Sequence, residues 1–154
     1  MNLADGESQD HQAIRGELHG QLWQFLKGKP CKVFSAPFDV RLNADSRDDT
    51  VVQPDLLVVC DKSKLNGKSC VGAPDFVIEI LSNSTARLDT FVKFRLYQRA
   101  GVREYWIVNP ETRTVQVCSL ENGRYVVNVY GDTDVVAVSA LGGCRIDLAD
   151  VFGE

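Results

Sequence analysis

The chain has 154 residues, of which 44% are hydrophobic and 25% charged, and its formal net charge is −4. These values exclude a low-complexity or collagen-like protein, and the length suits a single domain, 1–154, with a core of its own. No stretch is long and apolar enough to span a membrane, and the polar, acidic first residues lack the features of a signal peptide, so we expect a cytoplasmic protein.

The excess acid lies toward the C-terminus. Residues 1–109 hold 14 basic and 14 acidic side chains, whereas residues 110–154 hold 3 basic and 7 acidic ones. Proteins that bind nucleic acid tightly and non-specifically carry a surplus of Lys and Arg. The charge distribution therefore argues against such binding, while leaving a DNA substrate open.

A helix is predicted from about Gln9 to Leu26, because apolar residues recur there at helical spacing. Ser8 or Asp10 can cap its first turn. His11 falls within the apolar stripe and Glu17 at its edge. The simplest interpretation of His11 is a polar residue at the helix start, and that of Glu17 is a solvated acid. Either residue could instead approach a functional site.

Short strands are predicted next, at Cys31–Ser35 and Phe38–Leu42, forming a bent or paired edge of the sheet. The polar run Asn43–Thr50 is typical of a loop. The five cysteines are odd in number and include no Cys-X-X-Cys pair. Reduced, mostly buried thiols are therefore expected, rather than a disulfide framework or a zinc site; the cysteines are Cys31, Cys60, Cys70, Cys118 and Cys144.

Two further strands each follow a Pro-Asp pair, Asp55–Val59 and Asp75–Leu81. Side chains alternate along a strand, so Asp55 shares a side with Leu57, and Glu79 shares a side with Leu81. A carboxylate between Ile78 and Ile80 is costly unless a cation, a metal or hydrogen bonds stabilise it. Two acids on neighbouring strands are the starting point for a hard-metal site. The loop between the strands holds three lysines that could contact phosphate or simply be solvated, Lys62, Lys64 and Lys68.

The segment that follows has the pattern of a crossover unit. Ser82–Thr85 suits a turn or a cap, and Gly101 suits the end of a helix. Glu104–Asn109 is strongly β-forming and should pair in parallel with the preceding strand. At about 100° per residue, one helical face collects Asp89, Lys93, Leu96, Tyr97 and Ala100.

A hairpin is predicted from Thr114–Ser119 and Tyr125–Tyr130, with Asn122-Gly123 as the turn. Residues 135–154 carry no pattern that indicates chemistry.

The run from Gly72 to Pro110 resembles the core of the Uma-two family, which is placed among the PD-(D/E)XK, or restriction-endonuclease-like, nucleases. The resemblance extends from about His11 to the end of the chain. It implies an α/β (α+β) restriction-endonuclease-like fold: an N-terminal helix, a mixed central sheet with a crossover helix, and a C-terminal hairpin. Its most specific parts are Gly72-Ala73-Pro74-Asp75, Glu79-Ile80-Leu81-Ser82 and Gly101-Val102-Arg103-Glu104-Tyr105-Trp106.

The resemblance also implies a function, a metal-dependent endonuclease acting on DNA. Asp55 and Glu79 match the acids that bind Mg²⁺ or Mn²⁺, aided by the Ile80 carbonyl. Leu81 stands where the family pattern has a catalytic lysine, and Lys93 is the residue that could serve from the helix. A homodimer would suit cleavage of both strands of a duplex.

Two other interpretations stay open. Leu81 and the lack of a basic surface favour a non-catalytic domain of nuclease fold that binds protein or nucleic acid. Alternatively, Glu79 and Lys93 form a purely structural ion pair. Only the endonuclease hypothesis requires divalent-metal binding that depends on both Asp55 and Glu79.

Overall fold

A computed structural model describes residues 8–43, 50–82 and 86–153, with the side chains of 86–88 left out. Within these residues the helices are α1 (Gln9–Leu26), α2 (Ala86–Ala100) and α3 (Leu148–Phe152). The strands are β1 (Lys32–Ser35), β2 (Asp39–Arg41), β3 (Val51–Val52), β4 (Leu56–Val59), β5 (Ser69–Val71), β6 (Phe76–Ile80), β7 (Glu104–Asn109), β8 (Thr114–Glu121), β9 (Arg124–Gly131), β10 (Val135–Ala137) and β11 (Arg145–Asp147).

A six-stranded mixed sheet forms the centre, in the order β1-β4-β6-β7-β8-β9. Only β6 and β7 run parallel; their neighbours pair antiparallel. The parallel pair is joined through α2, so the predicted crossover unit is confirmed, as is the mixed sheet after an N-terminal helix. The predicted hairpin is also present, with Asn122 and Gly123 both at positive φ in its two-residue turn.

Each face of this sheet has its own core. On one face α1 packs its apolar stripe, and β10, β11 and α3 complete the layer. On the other face lie α2 and a small sheet of order β3-β2-β5. The molecule is thus built in three layers, and the alternation of side chains along β4 and β6 decides which layer each residue meets.

Local signals account for where the helices begin and end. The Ser8 hydroxyl accepts a hydrogen bond from the His11 N–H at 3.0 Å, which caps α1. Gly101 follows α2 at a φ of +89°, a conformation that glycine adopts without a steric penalty. Among the described residues, no helix is long and apolar enough to cross a membrane.

One strand prediction was wrong in its placement. The Phe38–Leu42 segment does not join β1 at the edge of the central sheet, because β2 pairs with β3 and β5 in the second sheet. Val33 packs on the α1 side, whereas Val40 packs on the α2 side, so the chain crosses between layers within a few residues. Most of the predicted 43–50 loop and residues 83–85 of the predicted cap lie outside the described residues.

The expectation of reduced cysteines was wrong for one pair, since Cys31 and Cys60 form a disulfide. Lys32 pairs with Val59 across β1 and β4, and continuing that register by one residue brings Cys31 opposite Cys60. The pairing depends on strand register, which cysteine spacing does not reveal. Cys70, Cys118 and Cys144 are free and buried, as expected.

Candidate active site

Asp55 and Glu79 lie on neighbouring strands at one end of the sheet. The β4–β6 register pairs Leu56 with Ile78, and one further step places Asp55 opposite Glu79. Their strand neighbours Leu57 and Val77 pack in the α2-side core, and Glu79 points toward that layer. The Asp55 carboxylate, at the strand end, instead meets His11 and Arg15 of α1. Asp55 also closes the strand end, because its Oδ2 accepts the Ile80 N–H at 2.7 Å.

Glu79 is almost fully buried, with 7% of the residue exposed. Its Oε2 accepts a hydrogen bond from the Tyr97 hydroxyl at 2.7 Å and lies 3.2 Å from the Lys93 ammonium. Burial raises the pKa of Glu79 to about 7, with Lys93 and Tyr97 opposing the shift in part and Asp55 adding to it. Glu79 Oε1 accepts no hydrogen bond from the described residues and remains available.

Lys93 reaches this carboxylate from α2. Its ammonium lies between Glu79 and Asp89, whose Oδ2 is 3.4 Å away. Burial alone would lower the pKa of Lys93, but the two carboxylates outweigh it and the net shift is upward. The helical face predicted from sequence is the face that packs on the sheet, with Tyr97 fully buried and Leu96 and Ala100 partly buried.

His11 approaches the site from α1. Its Nε2 lies 3.1 Å from the Ile80 carbonyl oxygen and 3.5 Å from Asp55 Oδ1. A carbonyl oxygen can only accept, so Nε2 carries a proton and donates to it. The backbone of His11 starts the helix, as its simplest interpretation held, but the buried side chain also joins the two strand ends.

Arg15 was not predicted from the sequence, and Tyr97 had no predicted role. Arg15 lies one helical turn after His11, and its Nη1 is 3.9 Å from Asp55 Oδ1. Its spacing of four residues from His11 puts both on one side of α1, but that spacing does not show that the side faces Asp55. Tyr97 fell on the predicted inner face of α2, but only packing showed that its hydroxyl meets Glu79.

A comparison of the sequence with protein-family models gives one match over residues 3–149, to Uma2, described as "Putative restriction endonuclease". The chain belongs to the Uma2, or Uma-two, family. The match spans nearly all of the sequence and includes every residue of the candidate site.

The Uma2 chain is similar to a curated protein and to a solved structure. An uncharacterized protein of Synechocystis sp., slr1290, is 24% identical over 139 residues, covering 89% of this chain and 72% of the relative. Among solved structures, one described as a "putative nuclease belonging to DUF820" from Anabaena variabilis superposes with a TM-score of 0.72 at 20% identity. That match covers 94% of this chain and 81% of the other. At this identity it supports the restriction-endonuclease-like fold and nothing finer.

Other candidates of the Uma2 chain lie away from the two acids or have local partners. Glu17 accepts a hydrogen bond from the Gln21 amide at 3.0 Å, and Gln21 in turn bonds the backbone of Asp147. Lys64 donates to the Ala73 carbonyl at 2.7 Å and so holds its own loop. Lys62 and Lys68 are exposed.

A cavity of about 490 Å³ opens beside the site, at the carboxyl ends of the parallel strands β6 and β7. Ligands of open α/β sheets commonly bind at such ends. Leu81 and exposed Ser82 line it on the β6 side, and the start of α1 lines the other. Its two acids, Asp10 and Glu111, would repel a bare phosphate.

The donor set fits a hard cation better than a zinc ion. No group of three or more His, Cys, Asp or Glu side chains in the described part of the chain is arranged to hold a metal. Asp55, Glu79 and the Ile80 carbonyl instead offer oxygen atoms at adjacent strand positions. Mg²⁺ is commonly held by one or two carboxylates, with water and substrate phosphate completing its shell.

Proposed function

We propose that this Uma2 protein is a metal-dependent endonuclease that hydrolyses phosphodiester bonds of DNA. The observation that carries the proposal is the position of Lys93, whose ammonium lies 3.2 Å from the carboxylate of Glu79, with Asp55 on the adjacent strand. This position supports a role for Lys93 in place of the usual lysine, whose position Leu81 occupies.

Asp55, Glu79 and the Ile80 carbonyl would hold Mg²⁺ or Mn²⁺. Glu79 Oε1 is available, and the Ile80 carbonyl has a second lone pair beyond the one that His11 engages. When bound, the cation would acidify water and neutralise charge on the scissile phosphate.

Lys93 would act as a fixed positive charge rather than as a base. Its pKa is shifted upward, so the ammonium keeps its proton at neutral pH. Placed beside Glu79, it would stabilise negative charge that develops on the phosphate. Asp89, on the preceding helical turn, orients it.

Tyr97 and His11 would position the carboxylate and the carbonyl. Burial raises the pKa of Tyr97 well above its ordinary value, and the neighbouring Glu79 raises it further. The hydroxyl therefore stays a donor and fixes one oxygen of Glu79. His11 donates to the Ile80 carbonyl oxygen in the same way, so each residue fixes an oxygen that would bind the metal.

We place the protein in the cytoplasm, where DNA is accessible. Disulfides seldom persist in a reducing cytoplasm. After reduction of the disulfide, β1–β4 pairing would still hold the Cys31 and Cys60 thiols opposite each other without a change of fold.

Mn²⁺ calorimetry combined with a DNA cleavage assay tests the proposal. The parent should bind Mn²⁺ and cut DNA only with metal, and Asp55→Asn or Glu79→Gln should lose both properties. Glu121→Gln, which removes an exposed acid in the β8–β9 hairpin, is the matched control and should bind like the parent. Equal Mn²⁺ binding by the parent and Glu79→Gln would reject the metal site.

A second function is favoured by one feature of the site. The chain's own groups partner Glu79, because Tyr97, Lys93 and Asp89 form a continuous network with it, and a non-catalytic binding domain would keep that network as a structural element. In that case the parent would bind no Mn²⁺ and cut no substrate, yet it would still retain DNA or a protein partner in a binding assay.

A further inference from the structure

Strand β9 is an outer edge of the central sheet. It pairs with β8 over its full length, from Arg124 opposite Glu121 to Gly131 opposite Thr114. Among the described residues no strand pairs with its other edge. An unpaired edge presents backbone N–H and C=O groups that can accept another strand.

The direction of those groups follows from the hairpin. In a two-residue turn the flanking residues, Glu121 and Arg124, form a hydrogen-bonded pair, and such pairs recur at every second residue. Tyr125, Val127, Val129 and Gly131 therefore turn their backbone groups away from β8. Two contacts agree, since the Tyr125 N–H donates to Gln98 Oε1 and the Gly131 N–H to Asp134 Oδ2, each at 2.8 Å.

The middle of the edge is thus open while both ends are capped. The outward N–H groups of Val127 and Val129 lie between the two capped positions and bond no described residue. Three exposed valines flank the exposed Asn128 there, at 44% for Val126, 42% for Val127 and 62% for Val129. From Tyr125 to Gly131 there is no charge and no proline, the devices that usually protect an edge strand.

We propose that β9 pairs with β9 of a second copy of this chain, antiparallel about a two-fold axis. Val127 then lies opposite the partner's Val129, and by symmetry Val129 lies opposite the partner's Val127. Four main-chain hydrogen bonds join the copies and continue the two central sheets into one. The two-fold makes one surface serve both copies, as in the commonest protein dimers.

This register is selected in two independent ways. It uses the open backbone groups of both Val127 and Val129. A register with Val127 opposite the partner's Val127 would instead require the Tyr125 N–H, which already donates to Gln98. The proposed register also places Arg124 opposite the partner's Asp132, just beyond the strand and on the same face, where Arg124 would add a second cation to the carboxylate that Arg113 of the same copy already engages at 2.6 Å. Opposite charges meet twice across the dimer, and four valine side chains cluster on the α2 side.

The dimer separates the two candidate sites. Seven strand spacings of about 4.8 Å would lie between the two copies of β6, or about 34 Å. Because the two-fold reverses strand direction, the carboxyl ends of β6 would point to opposite ends of the joined sheet. Each site would act by itself, so the dimer does not depend on the proposed nuclease activity and would not cut both strands at one position.

Analytical ultracentrifugation of the full chain over a concentration series tests the pairing. The parent should show a monomer–dimer equilibrium. Val129→Lys places two lysines in the contact and should raise the dissociation constant at least about tenfold. Val51→Lys is the matched control, because Val51 is similarly exposed, at 43%, but lies on β3 of the other sheet. Unchanged thermal unfolding would show that both variants fold.

Amide hydrogen exchange by NMR supplies the second measurement. The Val127 and Val129 amides should become protected as the concentration rises, while those of Tyr125 and Gly131 should not change. A parent that stays monomeric, a dimer without this protection, or Val129→Lys dimerising as tightly as the parent would each overturn the proposal.

Discussion

Two buried glutamates on neighbouring strands have very different surroundings. Glu104 begins β7 and is fully buried on the α1 side. Its Oε2 accepts from the Trp106 indole at 2.7 Å, and its Oε1 accepts from the Ser139 hydroxyl and the Ala140 N–H at 2.9 and 2.8 Å. Every donor is neutral, and both oxygens are occupied.

Glu79, near the end of β6, differs in each respect. One of its partners is a cation, a second acid lies on the next strand, and one oxygen has no donor among the described residues. The Glu104 contacts tie the segment after β10 to the sheet, which is a structural function. Burial is common to both acids, and the charge and number of their partners set Glu79 apart from Glu104.

The largest effect should come from moving the lysine. Lys93→Leu removes the only charge that reaches Glu79 from α2 among the described side chains, and we expect cleavage to fall about 100-fold or more with Mn²⁺ binding largely retained. Adding Leu81→Lys should restore part of the activity, because Leu81 lies on the Glu79 side of β6.

Arg95→Leu is the control for this relocation, since Arg95 is exposed on another side of the same helix. Gel assays under single-turnover conditions measure the rates. If Lys93→Leu cleaves like the parent, Lys93 is not the migrated lysine.

For stability, replacing Glu104 should have a larger destabilising effect than replacing Glu79. Glu104→Gln removes a charged acceptor and sets an amide N–H₂ or a weaker acceptor against three donors, so the free energy of unfolding should fall by about 3 kcal/mol. Glu79→Gln should not lower it at neutral pH, because the neutral amide avoids the cost of burying a group that ionises freely in the unfolded chain. Urea denaturation in chelator compares the two, and a larger loss for Glu79→Gln would reverse our assignment of roles.

The pH dependence of stability should separate the same residues. In metal-free protein the pKa of Glu79 is raised to about 7, so the folded state keeps a proton that the unfolded chain loses near pH 4.5. Stability should therefore fall as pH rises from about 4.5 to 7, by up to about 3 kcal/mol, and stay level above that range. Subtracting the Glu79→Gln curve isolates this contribution, and a difference that does not vary with pH would contradict it.

The smallest effect is expected for Tyr97→Phe. It removes one hydrogen bond to Glu79 and leaves the ring packed against Tyr105, 4.8 Å away between centroids. We expect about 1 kcal/mol lower stability and about tenfold slower cleavage with near-parent Mn²⁺ affinity. Tyr125→Phe removes a different buried hydroxyl, bonded to the Val102 carbonyl at 2.7 Å, and should lower stability without slowing cleavage of the folded protein.

Part of the candidate site was accessible from the sequence. Strand alternation put Asp55 on the side of Leu57 and Glu79 on the side of Leu81, and helical periodicity put Lys93 and Tyr97 on one face of α2, because both follow from the chain's local repeat. Whether the two strand sides coincide depends on the β4–β6 register. His11 and Arg15 were not accessible in the same way. Their approach to Asp55 depends on how α1 crosses the sheet, which the periodicity of α1 does not specify.

By itself the sequence determined the elements whose signals are local: α1 with its Ser8 cap, α2 ending at Gly101, β7, and the hairpin turned at Asn122-Gly123. Only the tertiary structure decided which sheet β2 joins, that Cys31 meets Cys60, and that Glu104 is held entirely by neutral donors. Those outcomes depend on contacts between distant residues, whose geometry is set when the layers pack. Local sequence encodes backbone torsions and apolar repeats, and these would be the same whichever sheet β2 joined or whichever cysteines paired.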